Sequence, residues 1–110
     1  MTTLALKYAQ LRNWVNGEKA GASQNLLEVE SPLNGQVLTT VPMSAAKDLD
    51  EAVKAASEAF PGWSQTPIKE RAQIFYRYKQ LLHQELETLA QLVHEESGKT
   101  MAEARAEIEK

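Results

Sequence analysis

Cysteine is absent from all 110 residues. That excludes a disulfide framework, thiolate metal sites and every cysteine-nucleophile mechanism within these residues. Glycine is sparse, with five residues at 17, 21, 35, 62 and 98. None falls into a G-x-G-x-x-G or Walker A spacing, so no phosphate-cradling loop can be read. Ser97-Gly98-Lys99-Thr100 has the tail of a Walker A loop, but the glycine required at position 93 is Val93. A helix end followed by a helix start explains those four residues better. Long apolar runs are missing as well. Nothing approaches the roughly 20 residues that span a bilayer, and Leu4–Leu6 is too short for the apolar core of a signal peptide. A cytoplasmic location is the default expectation. A large charge excess is also lacking: 12 basic against 15 acidic side chains leave a net −3. That balance draws the chain toward neither nucleic acid nor an anionic membrane.

What remains is ordinary globular material, 43% hydrophobic and 25% charged, in a length that allows one small domain. Residues 1–43 carry turn signals and short alternating runs. Asn16-Gly17 predicts a hairpin between Leu11–Val15 and Glu18–Ala22, because both turn positions must accept positive φ. Leu27, Val29 and Ser31 alternate with Glu28 and Glu30, and Pro32 ends that run. Asn34-Gly35 then turns the chain into Gln36–Val41, where Val37, Thr39 and Val41 share a face. Together these runs predict a three- or four-stranded antiparallel element that must lay its apolar face on something else.

Residues 44–110 read as three helices. Ser44 is the expected N-cap of the first, with Asp48 and Asp50 complementing its dipole. Leu49, Ala52, Val53, Ala56 and Phe60 form one stripe. Pro61-Gly62 is expected to stop this helix, leaving Trp63 as an anchor on the core. Thr66-Pro67 opens the second, a capping hydroxyl before proline at the first helical position. Its pattern runs unbroken from Pro67 to Ser97, about 46 Å at 1.5 Å per residue. Gly98 is the expected terminator, and Thr100 with Glu103 fits a capping box opening a third helix. Hairpins followed by helices give an α+β order without βαβ alternation, so no parallel sheet can be built from these residues alone.

The chemistry-bearing side chains do not converge. His83 and His94 lie three turns apart on one expected helix, about 16 Å along its axis and too far for one metal ion. Glu85/Glu87 and Glu95/Glu96 are spaced so that neighbours on a helix do not face each other. From Glu85 to Lys110 there are seven acids and three bases, which reads as a solvated face. Lys69, Arg71, Arg77 and Lys79 surround Phe75, Tyr76 and Tyr78. Glu70 interrupts that cluster, and the aromatics have core spacing, so the arginines are expected to pair with acids on neighbouring helices. No residue is assigned a catalytic, cofactor-binding or metal-ligating role.

Five pieces then resemble the N-terminal segment of the aldehyde dehydrogenase superfamily, in order and at the right separations. They are NWVNGEKA at Asn13–Ala20, SPLNGQVLTTVP at Ser31–Pro42, DLDEAVKAASEAFPGW at Asp48–Trp63, ERAQIFYRYKQLL at Glu70–Leu82 and HEESGKTMAEARAEIEK at His94–Lys110. Ser31 stands where the family usually has Asn before proline. The start of the long helix and the Glu-Ile ending look most like the CoA-acylating, methylmalonate-semialdehyde branch.

The resemblance implies a parent α/β fold with a Rossmann-type NAD-binding domain, of which residues 1–110 would be one N-terminal scaffold segment. It implies aldehyde oxidation by a cysteine thiolate, hydride transfer to NAD⁺ and release of the thioester by water or CoA. Family members are several times longer, and the nucleophilic Cys, the oxyanion-hole Asn and the cofactor turn have no matching positions here. The expectation is an inert scaffold fragment whose partners are the remainder of an aldehyde dehydrogenase chain and further subunits of a homo-oligomer. A truncated paralogue docking on the intact enzyme as an interaction module is the alternative. A small independent α+β domain is a third.

Overall fold

The structure, a computed structural model, describes residues 6–20 and 25–110. The end of the expected second strand, Gly21 and Ala22, lies outside the described residues. The chain forms two compact units.

The first unit holds four strands and one helix. Strands β1 (Asn13–Val15) and β2 (Glu18–Ala20) form the expected antiparallel hairpin. Asn16 and Gly17 both take positive φ, 56° and 78°, as a two-residue turn of this hand requires. Strands β3 (Leu26–Glu30) and β4 (Val37–Pro42) pair antiparallel from Leu26 opposite Pro42 to Glu30 opposite Val37, with an irregularity between Val29 and Glu30. These are two separate two-stranded sheets rather than one three- or four-stranded element.

The free edge of β4 is instead lined by the stretch from Tyr8 to Leu11. The Tyr8 and Leu11 amides donate to the Leu38 and Thr40 carbonyls at 2.8 and 2.9 Å. Thr39 Oγ1 donates to the Ala9 carbonyl at 2.8 Å. Strand β4 also buries three consecutive residues, Leu38, Thr39 and Thr40, which point alternately to its two faces, so both faces are covered. Period-two alternation pointed to Val37, Thr39 and Val41, but a strand covered on both faces does not alternate.

Helix α1 (Ala46–Gln65) follows. Its cap differs from the expected one. Asp48 Oδ2 accepts the Ala45 amide at 2.8 Å, whereas Ser44 Oγ accepts from Asn13 Nδ2 at 2.7 Å. The Ser44 hydroxyl ties the helix entry to β1 instead of capping. Pro61-Gly62 does not stop α1, which runs on through Trp63 to Gln65. Proline removes one helical donor and crowds the preceding turn, a loss that a final turn can absorb. No α1 residue is buried, and Leu49, Val53 and Phe60 are exposed.

The second unit joins the turn 31–36 to helices α2 (Ile68–Gln84), α3 (Leu86–Ser97) and α4 (Met101–Glu109). Helix α2 starts one residue later than expected. Pro67, extended at ψ 143°, occupies the N-cap position, which carries no side-chain cap bond. The single long helix is in fact two, giving four helices rather than three among the described residues. Glu85 sits at φ −100°, ψ 17° and separates them. That bridge conformation is open to any residue, so neither Gly nor Pro marks the break. Beyond it α3 packs extensively on α4, while α2 touches both only lightly. Ala90 and Ala104 are fully buried, their small side chains permitting close helix approach. No described helix is long and apolar enough to cross a membrane.

Candidate functional site

The polar contacts of the second unit concentrate where the turn 31–36 meets the C-terminal end of α3. Ser31 is buried, and its Oγ donates to the Glu95 carbonyl at 2.6 Å while accepting the Leu33 amide at 3.2 Å. The turn is closed by Gly35 N donating to Ser31 O and Ser31 N donating to Gln36 O, both at 2.8 Å. Asn34 Oδ1 accepts the Gln36 amide at 2.9 Å, a side-chain mimic of a backbone turn. The Ser31 hydrogen is committed to a carbonyl and not to a base, so this serine holds structure and is not an activated nucleophile.

Glu95 corrects the reading of residues 85–110 as a wholly solvated face. It is 5% exposed, and its Oε1 accepts from Gln91 Nε2 at 2.9 Å. On α3 it lies about half a turn from the face that Leu86, Leu89 and Val93 share at 100° per residue. It is buried because the turn 31–36 reaches that side, where Ser31 holds its carbonyl. Periodicity carries no signal for this, since the covering segment is 64 residues away in sequence.

Gly98 ends α3 in the left-handed conformation at φ 77°, its amide donating to His94 O at 2.9 Å. A Cβ there would stand 3.2 Å from Pro32 Cγ. Thr100 then opens α4 with a complete capping box, Glu103 N to Thr100 Oγ1 at 3.2 Å and Thr100 N to Glu103 Oε2 at 3.1 Å. The stretch Ser97–Thr100 is therefore a stop and a start, as expected.

The two histidines sit on different helices, His83 in the last turn of α2 and His94 in the last turn of α3. His94 Nδ1 lies 2.5 Å from the Lys99 carbonyl oxygen. Among the described residues, no group of three His, Cys, Asp or Glu side chains could hold a metal ion. One ion pair joins the start of α3 to the middle of α4, and another joins the α3–α4 linker to α4. Arg105 forks onto Glu87 through Nε–Oε1 at 2.7 Å and Nη2–Oε2 at 3.2 Å. Lys99 Nζ meets Glu107 Oε2 at 2.6 Å. Hydrogen bonding from Arg105 holds Glu87 below the usual carboxylate range, and that from Lys99 does the same for Glu107. Glu87–Arg105 joins neighbouring helices, but Arg105 is neither Arg71 nor Arg77, the arginines for which such pairing was expected. In that cluster Phe75, Tyr76 and Tyr78 are exposed, not core.

The arrangement is a junction of turn, α3 and α4 held by these contacts. The sequence matches the pattern of the aldehyde dehydrogenase family over residues 14–110. It is 45% identical over 101 residues to malonate-semialdehyde dehydrogenase 1 of Geobacillus thermodenitrificans, covering 91% of this chain and 21% of that protein. The structure is similar to an NAD-dependent aldehyde dehydrogenase from Sinorhizobium meliloti, with TM-score 0.87, 31% identity, and coverage of 96% of this chain and 22% of that one. It is likewise similar to a methylmalonate-semialdehyde dehydrogenase from Oceanimonas doudoroffii, with TM-score 0.86, 29% identity, and coverage of 92% and 21%. The chain thus spans about a fifth of the length of the relatives it matches. With nearly its whole length matched to that pattern and that fold, the chain belongs to the aldehyde dehydrogenase family.

Proposed function

We propose that these residues are scaffold for an NAD(P)-dependent aldehyde dehydrogenase that oxidises malonate semialdehyde or its methyl derivative, with CoA as the acyl acceptor. The carrying observation is the 45% identity to a malonate-semialdehyde dehydrogenase over a stretch that folds as one continuous part of such enzymes. The enzyme so completed works in the cytoplasm as a homo-oligomer.

The residues present do not fit the nicotinamide cofactor by themselves. Gly98 ends a helix instead of opening one and packs on Pro32, while Gly17 and Gly35 lie in tight turns. A dinucleotide needs backbone amides converging at a helix N-terminus behind a glycine turn. The cofactor site and the reacting thiolate therefore belong to the part of the subunit that these residues do not span. The contribution of this chain is to position that part, and alone it is inert.

The test is a chimaera in which residues 10–110 replace the matching stretch of the Geobacillus thermodenitrificans enzyme. NADH formation from malonate semialdehyde, strengthened by CoA, is the expected result. A folded, oligomeric chimaera without turnover would sink the proposal, as would turnover by residues 1–110 alone.

A further inference from the structure

Two Asn-Gly pairs stand in the chain, Asn16-Gly17 and Asn34-Gly35. An asparagine followed by glycine carries the parts of a self-modification reaction. Its side-chain amide is an acyl group with ammonia as leaving group, and the next backbone nitrogen is a nucleophile within reach. Glycine leaves that nitrogen unshielded, because it has no Cβ and ranges freely over φ and ψ. Asn16, Gly17, Asn34 and Gly35 are all exposed, so access to water does not distinguish the two pairs. Hydrogen bonding does.

Asn34-Gly35 is held at both reacting groups. The Gly35 amide donates to the Ser31 carbonyl at 2.8 Å. Asn34 Oδ1 accepts the Gln36 amide at 2.9 Å, which keeps the side chain on Gln36. Attack of the Gly35 nitrogen on Asn34 Cγ gives up both bonds. One such bond is worth roughly a factor of five, so the two together slow the reaction about 25-fold. In Asn16-Gly17 neither the side chain nor the glycine amide makes a hydrogen bond among the described residues. The hairpin around it is a two-stranded sheet of three residue pairs. Hairpins of that size are marginal and open readily.

We infer that Asn16 is a modification site, converted through a succinimide to isoaspartate and aspartate, and that the bonded turn 31–36 protects Asn34 from the same reaction. The Gly17 nitrogen loses its proton to solvent base and bonds to Asn16 Cγ. The Cγ–Nδ2 bond breaks, and ammonia leaves with a proton taken from water. Water then opens the ring at either carbonyl. Cleavage at Cγ gives aspartate. Cleavage at the main-chain carbonyl gives isoaspartate, in which the chain runs on through Cβ and Cγ. Water is the co-reactant and ammonia the co-product of both outcomes. Isoaspartate adds a backbone atom to a turn whose two residues set the strand register, so Val15 no longer closes on Glu18. Strand β1 carries Asn13, whose Nδ2 donates to Ser44 Oγ at 2.7 Å, and its release also frees the entry of α1. Aspartate keeps the turn, since Asp-Gly suits the same turn type.

The full chain, kept dilute, is aged at mildly alkaline pH with and without concentrated urea. Both sites are followed by peptide mapping, with isoaspartate separated from aspartate by chromatography. In urea the two sites should convert at comparable rates. Without urea, Asn16 should stay within about threefold of its rate in urea while Asn34 slows about 25-fold. Ser31→Ala loosens the turn 31–36, so it should speed Asn34 about twofold or more and leave Asn16 unchanged. Hydrogen exchange at the β1 and β2 amides should be faster in the aged chain than in the fresh one, and Asn16→Asp should not reproduce that change. Asn34 reacting as fast as Asn16 without urea, Asn16 slowed as strongly as Asn34, aspartate without isoaspartate at Asn16, Asn34 indifferent to Ser31→Ala, or equal opening by Asn16→Asp would each overturn the inference.

Discussion

The Ser31 oxygen serves two bonds, donating to a helix carbonyl and accepting a turn amide. The first is buried and the second partly so, and an abandoned partner in such a setting is costly. Ser31→Ala should weaken the junction by about 1–2 kcal/mol, read as faster hydrogen exchange at the Leu33 and Gly35 amides. Ser31→Asn tests whether the residue the family usually carries can replace it. Glu87 and Glu107 differ because both are exposed and titrate freely. Their folded values are lowered by their basic partners. Each pair therefore contributes stability above the ordinary carboxylate value of 4.5 and loses it as pH falls below 4.5 through the depressed folded value. Carbon-13 titration of the Glu87 carboxylate should show a midpoint below that of free Glu. Arg105→Gln should return it to the ordinary range while Glu107 stays lowered, since its partner is Lys99.

The helices show which signals local chemistry carries. Gly98 and Thr100 act as their neighbours in sequence predict, because αL backbone and a capping box are decided within four residues. Gly98→Ala places a side chain at φ 77° and 3.2 Å from Pro32 Cγ. It should cost about 1–2 kcal/mol from the backbone alone, with Gly98→Val worse and Gly98→Asn milder in thermal denaturation of the chimaera. Ser44 misled because a tertiary donor, Asn13, competes for its hydroxyl, and Thr66 because α2 begins one residue later, with Pro67 at the N-cap. Pro61 misled because helix breaking has a finite cost. Replacing it should release that cost, so Pro61→Ala should raise the thermal stability of the α1 helix by about 1–3 kcal/mol, measurable as added helicity at elevated temperature.

At the scale of the molecule, apolar faces on α1 and α2 remain open while α3 and α4 close on each other. Exposed apolar stripes of this extent drive association. The isolated chain should elute from size exclusion as concentration-dependent oligomers. The lack of cysteine, the hairpin at Asn16-Gly17, the helix signals at 98–103 and the five family segments were all legible in the residues, because each is local or compositional. The break at Glu85, the burial of Glu95, the covering of β4 on both edges and the extension of α1 past Pro61 were decided only by tertiary structure. The burial of Glu95 and the flanking of β4 depend on segments tens of residues away, the break at Glu85 on a conformation open to any residue, and the passage through Pro61 on a cost that a final turn can absorb; none of these leaves a mark in the periodicity of the chain.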